Sequence, residues 1–221
     1  LSPGFQAFSP VKCETYHYSS LPNVVTSLEF ERILSASGPF GGHLVRPSDH
    51  AEPKKIAWLQ CVGSRDLNHC DNSYCSAVCC MYAIKDSMIA KEHAHGDLDC
   101  VVFNMDIRSF GKDYEKYYLR AVKDGIRFVR SRVHSVDVLP DTGNLSIRYV
   151  NDAGDLTLEE FDMVVLSVGL QITPATLALA KQLGVDLHRS GFAANDPFAP
   201  VETSRPGVYA CGVFQGPKDI P

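Results

Sequence analysis

Between Lys54 and Gly169 the sequence switches repeatedly between two hydrophobic patterns, and that alternation constrains the fold more than any other feature. "KKIAWLQ" (54–60) is a compact apolar run behind a basic lead-in and reads as a buried strand. "SAVCCMYAIKDSMIAKEHAHG" follows with helical spacing, its apolar stripe supplied by Val78, Met81, Tyr82, Met88 and Ile89, and Gly96 is a plausible stop. "DCVVFNMDI" (99–107) reads as a strand and "KDYEKYYLRAVKDG" (112–125) as a helix that ends on a glycine. "IRFVRSRVHSVDVL", "NLSIRYV" and "LEEFDMVVLSVG" supply further strands, with turns at Asp141–Gly143 and Asp152–Gly154. Strand, helix, strand, helix, strand predicts a parallel α/β sheet with right-handed crossovers, then a β-meander, then a strand that closes the sheet.

Composition narrows what such a sheet could serve. The net charge is −5 and no run of Lys or Arg is concentrated anywhere, so the electrostatic footprint of a nucleic-acid binder is missing. Apolar runs such as "MVVLSVGL" are too short to span a bilayer. No basic segment followed by an apolar one opens the chain, which points to a cytoplasmic protein. The chain begins at Leu1 and closes in a turn-rich run, which reads as part of a longer protein. Residues 1–50 and 169–221 differ from the middle in being rich in Pro, Gly and Ser, so the expected division is 1–50, 51–168 and 169–221.

This layout resembles the nucleotide-binding domain of flavoprotein disulfide reductases such as thioredoxin reductase, in which a pyridine-nucleotide domain is inserted into a flavin domain. "FDMVVLSVGLQITPATLALAKQLGVDL" is similar to the strand and loop that end the inserted domain. "PVETSRPGVYACGVFQGPKDIP" is similar to the segment that completes the flavin site, and "LSPGF" to the strand end before the domain crossover. The resemblance implies a Rossmann-like sheet with a β-meander over 51–168, flanked by parts of a flavin domain at 1–50 and 169–221, without its first flavin-binding βαβ unit. FAD would then contact the region of Gly207, Gly212, Lys218 and Asp219. The family places Asp after the glycine, whereas Val213 follows Gly212 here, so Lys218 and Asp219 are the substitutes expected to serve the flavin.

One departure is chemical. After the first strand a dinucleotide binder needs a Gly-x-Gly-x-x-Gly turn so that the pyrophosphate can approach the backbone. Here Cys61 to Asp66 contain only Gly63, and a long loop replaces the short turn. Asp106 and Arg108, just past the second strand, stand where a cofactor ribose or its phosphate would be read, but without the glycines they are not assigned that role. Instead, residues 61–80 hold five of the eight cysteines: Cys61, Cys70, Cys75, Cys79 and Cys80. Adjacent Cα atoms lie roughly 3.8 Å apart, below the usual disulfide range, so a Cys79–Cys80 bridge would be strained. Zinc sites usually use paired Cys-x-x-Cys knuckles, and none is present. Cys75 and Cys79, four apart, would share one helix face. Four thiolates at a strand end and a helix N-terminus suit a 4Fe–4S cluster, whose negative charge the helix dipole favours. Buried small hydrophobes are the other reading of such cysteines.

"PNVVTSLEFERILSASGPFGGHLVRPSD", "QCVGSRD", "YCSAVCCMYAIK", "MDIRSFGKDYEKYY" and "VETSRPGVYACGVFQGPKDIP" together resemble the A subunit of heterodisulfide reductase, a flavin- and iron–sulfur-containing oxidoreductase component. The resemblance implies that Cys61, Cys75, Cys79 and Cys80 bind a 4Fe–4S cluster, with Cys70 as the rival ligand. It implies that Lys85 approaches the isoalloxazine of FAD, where a cation would stabilise the reduced forms; a solvated helix lysine is the plainer reading. Implied partners are other heterodisulfide reductase-type subunits and hydrogenase or ferredoxin-type electron carriers, with a homodimer also open. The competing function is a zinc-binding or metal-free docking module without redox activity.

Overall fold

The computed structural model describes residues 1–219. In chain order its elements are β1 (Phe5–Ala7), β2 (Val24–Thr26), α1 (Ser27–Leu34), β3 (Lys55–Val62), α2 (Leu67–Cys70), α3 (Cys79–His93), β4 (Asp99–Asn104), α4 (Tyr114–Lys123) and β5 (Arg127–Arg130). There follow β6 (Val136–Val138), β7 (Leu145–Val150), β8 (Leu156–Phe161), β9 (Met163–Val168), β10 (Leu170–Ile172) and α5 (Pro174–Leu183). The chain divides into a larger unit, Ser9–Val62 with Cys79–Val168, and a smaller one, Leu1–Phe8 with Gly63–Val78 and Gly169–Pro221.

The larger unit is built on a parallel sheet of strand order β2-β9-β3-β4-β5. Trp58 of β3 pairs with Val165 on one side and Val102 on the other. A central strand covered on both faces must be apolar throughout, and all residues of β3 after Lys55 are buried. α3 and α4 make the two expected crossovers. The meander β6-β7-β8 is a separate antiparallel sheet, and β9 closes the parallel one, as the periodicity predicts. Phe30 meets the fully buried Trp58 edge-on, with ring centroids 5.4 Å apart. One ionic group ties the sheets together: Lys55 and Arg127 both reach Glu159 and Asp99, and the Tyr149 hydroxyl donates to Glu159.

The hydrophobic pattern does not announce β2 and α1, which add an edge strand and a helix. A capping box starts α1: the Thr26 side chain accepts from the Glu29 amide, and the Glu29 carboxylate accepts from the Thr26 amide at 2.7 Å. The pattern also places the start of the cysteine helix too early. α3 starts at Cys79, so Cys75 and Cys79 are not one helical turn apart. Ala77 adopts a left-handed backbone (φ 63°), which a helix cannot continue through. Ser76, just before it, is held by non-helical bonds: its hydroxyl bonds Ser64 Oγ at 2.6 Å and accepts from the Leu170 amide at 2.9 Å.

In the smaller unit β1 pairs antiparallel with β10, Phe5 opposite Ile172. Thr173 caps α5 by accepting from the Thr176 amide, Pro174 occupies the first turn, and Gly184 ends the helix in the left-handed region. Ile172, Ala180, Val185, Phe192 and Phe214 form its core. Tyr74 packs edge-on against Phe192 and donates its hydroxyl to the Leu170 carbonyl at 2.7 Å.

Candidate functional site

No disulfide joins the eight cysteines among the described residues. Three of the expected ligands belong to the larger unit. Cys61 lies near the C-terminal end of β3, where the pairing with β9 shifts register between Leu59 and Val62. Its backbone is left-handed (φ 64°), an unusual state for a residue with a Cβ. Cys79 and Cys80 open α3, so they stand at the positive end of a 15-residue helix. All three side chains are buried. The Cys80 thiol points toward the Asp106 carbonyl, 3.9 Å away, beyond the end of β4. Strand ends and a helix start are where doubly wound sheets receive ligands.

Cys75 belongs to the smaller unit. Its sulfur accepts the Ala77 amide at 3.4 Å. Cys70 ends the short helix α2, which Asp66 caps by accepting the Asn68 and His69 amides. Asp66 also lies 3.1 Å from His69 Nδ1. Among the described residues no three His, Cys, Asp or Glu side chains are gathered to hold a metal ion. Thiols are soft donors of the kind that iron and sulfide take, so the residue type fits a cluster.

The single glycine of the turn is packed against an aromatic ring. At Gly63 (φ 75°) a Cβ would lie 2.0 Å from Cγ of Phe8, so that ring occupies the space the glycine leaves. Asp106 and Arg108 pair with each other at 3.2 Å. Lys85, on α3, reaches Glu31 of α1, at 2.5 Å. Burial opposes its charge, but the Glu31 hydrogen bond and the Asp86 and Glu31 carboxylates outweigh this and raise its pKa. Gly207 (φ 79°) and Gly212 (φ 67°) both hold backbone conformations that favour glycine. Lys218 donates to Gln215, and Asp219 is partly buried. Sequence reasoning missed Glu31, Asp86 and the left-handed Ala77; of these only the Thr26-x-x-Glu29 signature, which announces the helix carrying Glu31, was visible in the residues.

The parallel sheet, its crossovers and the meander define an α/β protein of the disulfide-reductase architecture. Two solved thioredoxin reductases share this fold. That of T. acidophilum superimposes with a TM-score of 0.53 at 17% identity, over 96% of this chain and 55% of its own. That of Lactococcus lactis gives 0.57 at 15%, over 99% and 57%. Residues 94–220 match the pyridine nucleotide-disulphide oxidoreductase family, and the chain belongs to it. Much nearer in sequence are two methanogen proteins. One is the second iron-sulfur A subunit of the CoB–CoM heterodisulfide reductase of Methanopyrus kandleri. The other is the A subunit of the H2/formate:CoB-CoM heterodisulfide,ferredoxin reductase of Methanococcus maripaludis. Each is 43% identical over 99% of this chain. The chain spans about a third of the length of these curated relatives.

Proposed function

We propose that this chain is the electron-transfer part of a flavin-dependent oxidoreductase resembling the A subunit of heterodisulfide reductase, and that Cys61, Cys75, Cys79 and Cys80 hold a 4Fe–4S cluster. What supports the reading is the make-up of the turn after β3 and of the start of α3. Phe8 packs against the single glycine of the turn, and within the larger unit buried thiols stand at the strand end and at the helix start. The family and the heterodisulfide reductase relatives support FAD as the second cofactor, with Gly207, Gly212, Lys218 and Asp219 on its side.

When bound, the cluster would supply one-electron chemistry and the flavin would convert it to electron pairs. The protein's own part is electrostatic. The α3 N-terminus would offset the negative charge of a cluster, the Ala77 amide would donate to a cluster-bound Cys75 sulfur, and Cys61, Cys79 and Cys80 are buried. Lys85 is the cation available to a reduced flavin, and moving there would require it to leave Glu31. Docking onto other heterodisulfide reductase-type subunits, exchange with hydrogenase or ferredoxin-type carriers and a cytoplasmic location belong to the same reading. Among the described residues no helix is long and apolar enough to cross a membrane.

The test is anaerobic reconstitution with iron and sulfide, followed by iron counting and visible and electron-spin spectra. The parent chain and the Cys70→Ala variant should load one cluster, and Ala at Cys61, Cys75, Cys79 or Cys80 should abolish or alter it. If Cys70→Ala loses the cluster while Cys61→Ala keeps it, the ligand set is wrong. If every form binds only colourless zinc, or nothing, the docking-module function replaces the electron-transfer one.

A further inference from the structure

A second charged group lies on α3, one residue beyond Lys85. Asp86 is 2% exposed, although it is an aspartate in the middle of a helix. Buried carboxylates of this kind are ordinarily matched by a bidentate arginine or by several amides. Among the described residues the ionic partner given to it is Lys85 Nζ, 3.9 Å from Oδ1 and outside hydrogen-bond range. That ammonium is already committed to Glu31 on α1.

The surroundings offer little else. α1 contributes the Glu31 carboxylate, α3 itself contributes Lys85 and Tyr82, and α4 contributes Tyr117, whose acidity responds to the charges of both Lys85 and Asp86. From β3, β4 and β9 the layer receives Ile56, Trp58, Cys100, Val102, Met163 and Val165, none of them charged at neutral pH. One cation therefore faces two carboxylates, and the nearer one holds it.

We propose that Asp86 is a proton-binding site of the larger unit, occupied while Glu31 holds Lys85 and emptied when the Glu31 charge is removed and Lys85 is left to Asp86. With the proton on, the Glu31–Lys85–Asp86 group is neutral; with it off, the group carries one negative charge inside the helix layer. The step is a simple exchange, in which the Asp86 carboxylate takes a proton from solvent and returns it. Burial pushes the Asp86 pKa up; the Lys85 charge opposes this, Glu31 adds to it, and the result is about 7. The inference does not depend on which cofactor α3 serves.

The experiment is a pH titration of this chain followed by infrared spectroscopy of the protonated-carboxyl band and by carbon NMR with labelled aspartate. One carboxyl should titrate near neutral pH and be missing from Asp86→Asn. In Glu31→Gln its midpoint should fall by about one unit or more, because a like charge is removed and Lys85 is released. In Lys85→Met it should rise. Should Asp86→Asn fail to fold, the NMR titration of the parent and its displacement in Glu31→Gln still identify the group. The proposal is overturned if every aspartate titrates in the ordinary acid range, or if Glu31→Gln leaves the neutral midpoint unmoved.

Discussion

The ring of Phe8 lies so close over Gly63 that an added Cβ would meet Cγ at 2.0 Å and Cδ1 at 2.3 Å. A left-handed glycine under an aromatic ring tolerates no side chain, because both the backbone and the space forbid it. Gly63→Ala should cost about 2–4 kcal/mol, the sum of overpacking and left-handed strain, read as a lower urea midpoint.

The same contact bears on nucleotide binding. The turn has one glycine where close backbone approach takes three, and Phe8 packs against that glycine. Titration with NADH or NADPH should give no saturable heat or fluorescence change at submillimolar concentration. Saturation in the micromolar range would show that Phe8 swings away and a phosphate cradle forms.

The capping box at the start of α1 predicts a smaller, local effect. Thr26→Ala removes the acceptor for the Glu29 amide and should cost about 1 kcal/mol in chemical denaturation. Thr26→Ser, which keeps the acceptor, should recover most of it. Equal losses in both variants would mean that the threonine methyl, not the cap, matters.

Acid stability should depend on Glu159. Burial raises its pKa, but hydrogen bonds from Lys55, Arg127 and Tyr149 more than offset this and hold it below the ordinary carboxylate value. The unfolded chain therefore binds its proton first as pH falls. The stability Glu159 confers is complete above the unfolded pKa of about 4.3 and is lost as pH drops through the folded value. Glu159→Gln should lower the melting temperature at neutral pH and flatten its decline toward acid pH. An unchanged acid slope would remove Glu159 from the group that sets it.

Asp86 predicts the opposite slope. Its folded pKa of about 7 lies above the unfolded value of about 3.9, so between the two the folded chain holds a proton that the unfolded chain lacks. Stability should fall as pH rises through this window and level off above it. Asp86→Asn should abolish that fall and be the more stable protein at alkaline pH. A parent protein whose stability rises with pH over the same window, with Asp86→Asn unchanged, would contradict the assignment.

The residues by themselves determined the sheet. Compact apolar runs at 55–62, 99–104 and 163–168 separated by helical stripes admit few arrangements other than a parallel α/β layer, because each strand must be covered on both faces. They also marked the loop after β3, where five cysteines and a single glycine stand in place of a glycine-rich turn. They did not locate the start of α3. A Cys75–Cys79 spacing of four is helical by arithmetic, yet Ser76 bonds to Ser64 and to Leu170, partners 12 and 94 residues away, and Ala77 turns left-handed. Nor could local pattern single out Asp86. An aspartate next to a lysine reads as a solvated helix pair until α1 brings Glu31 to the lysine and packing buries the carboxylate. Local periodicity encodes which face of an element is buried; which charged groups share that burial is decided by contacts distant in sequence, and only the tertiary structure supplies them.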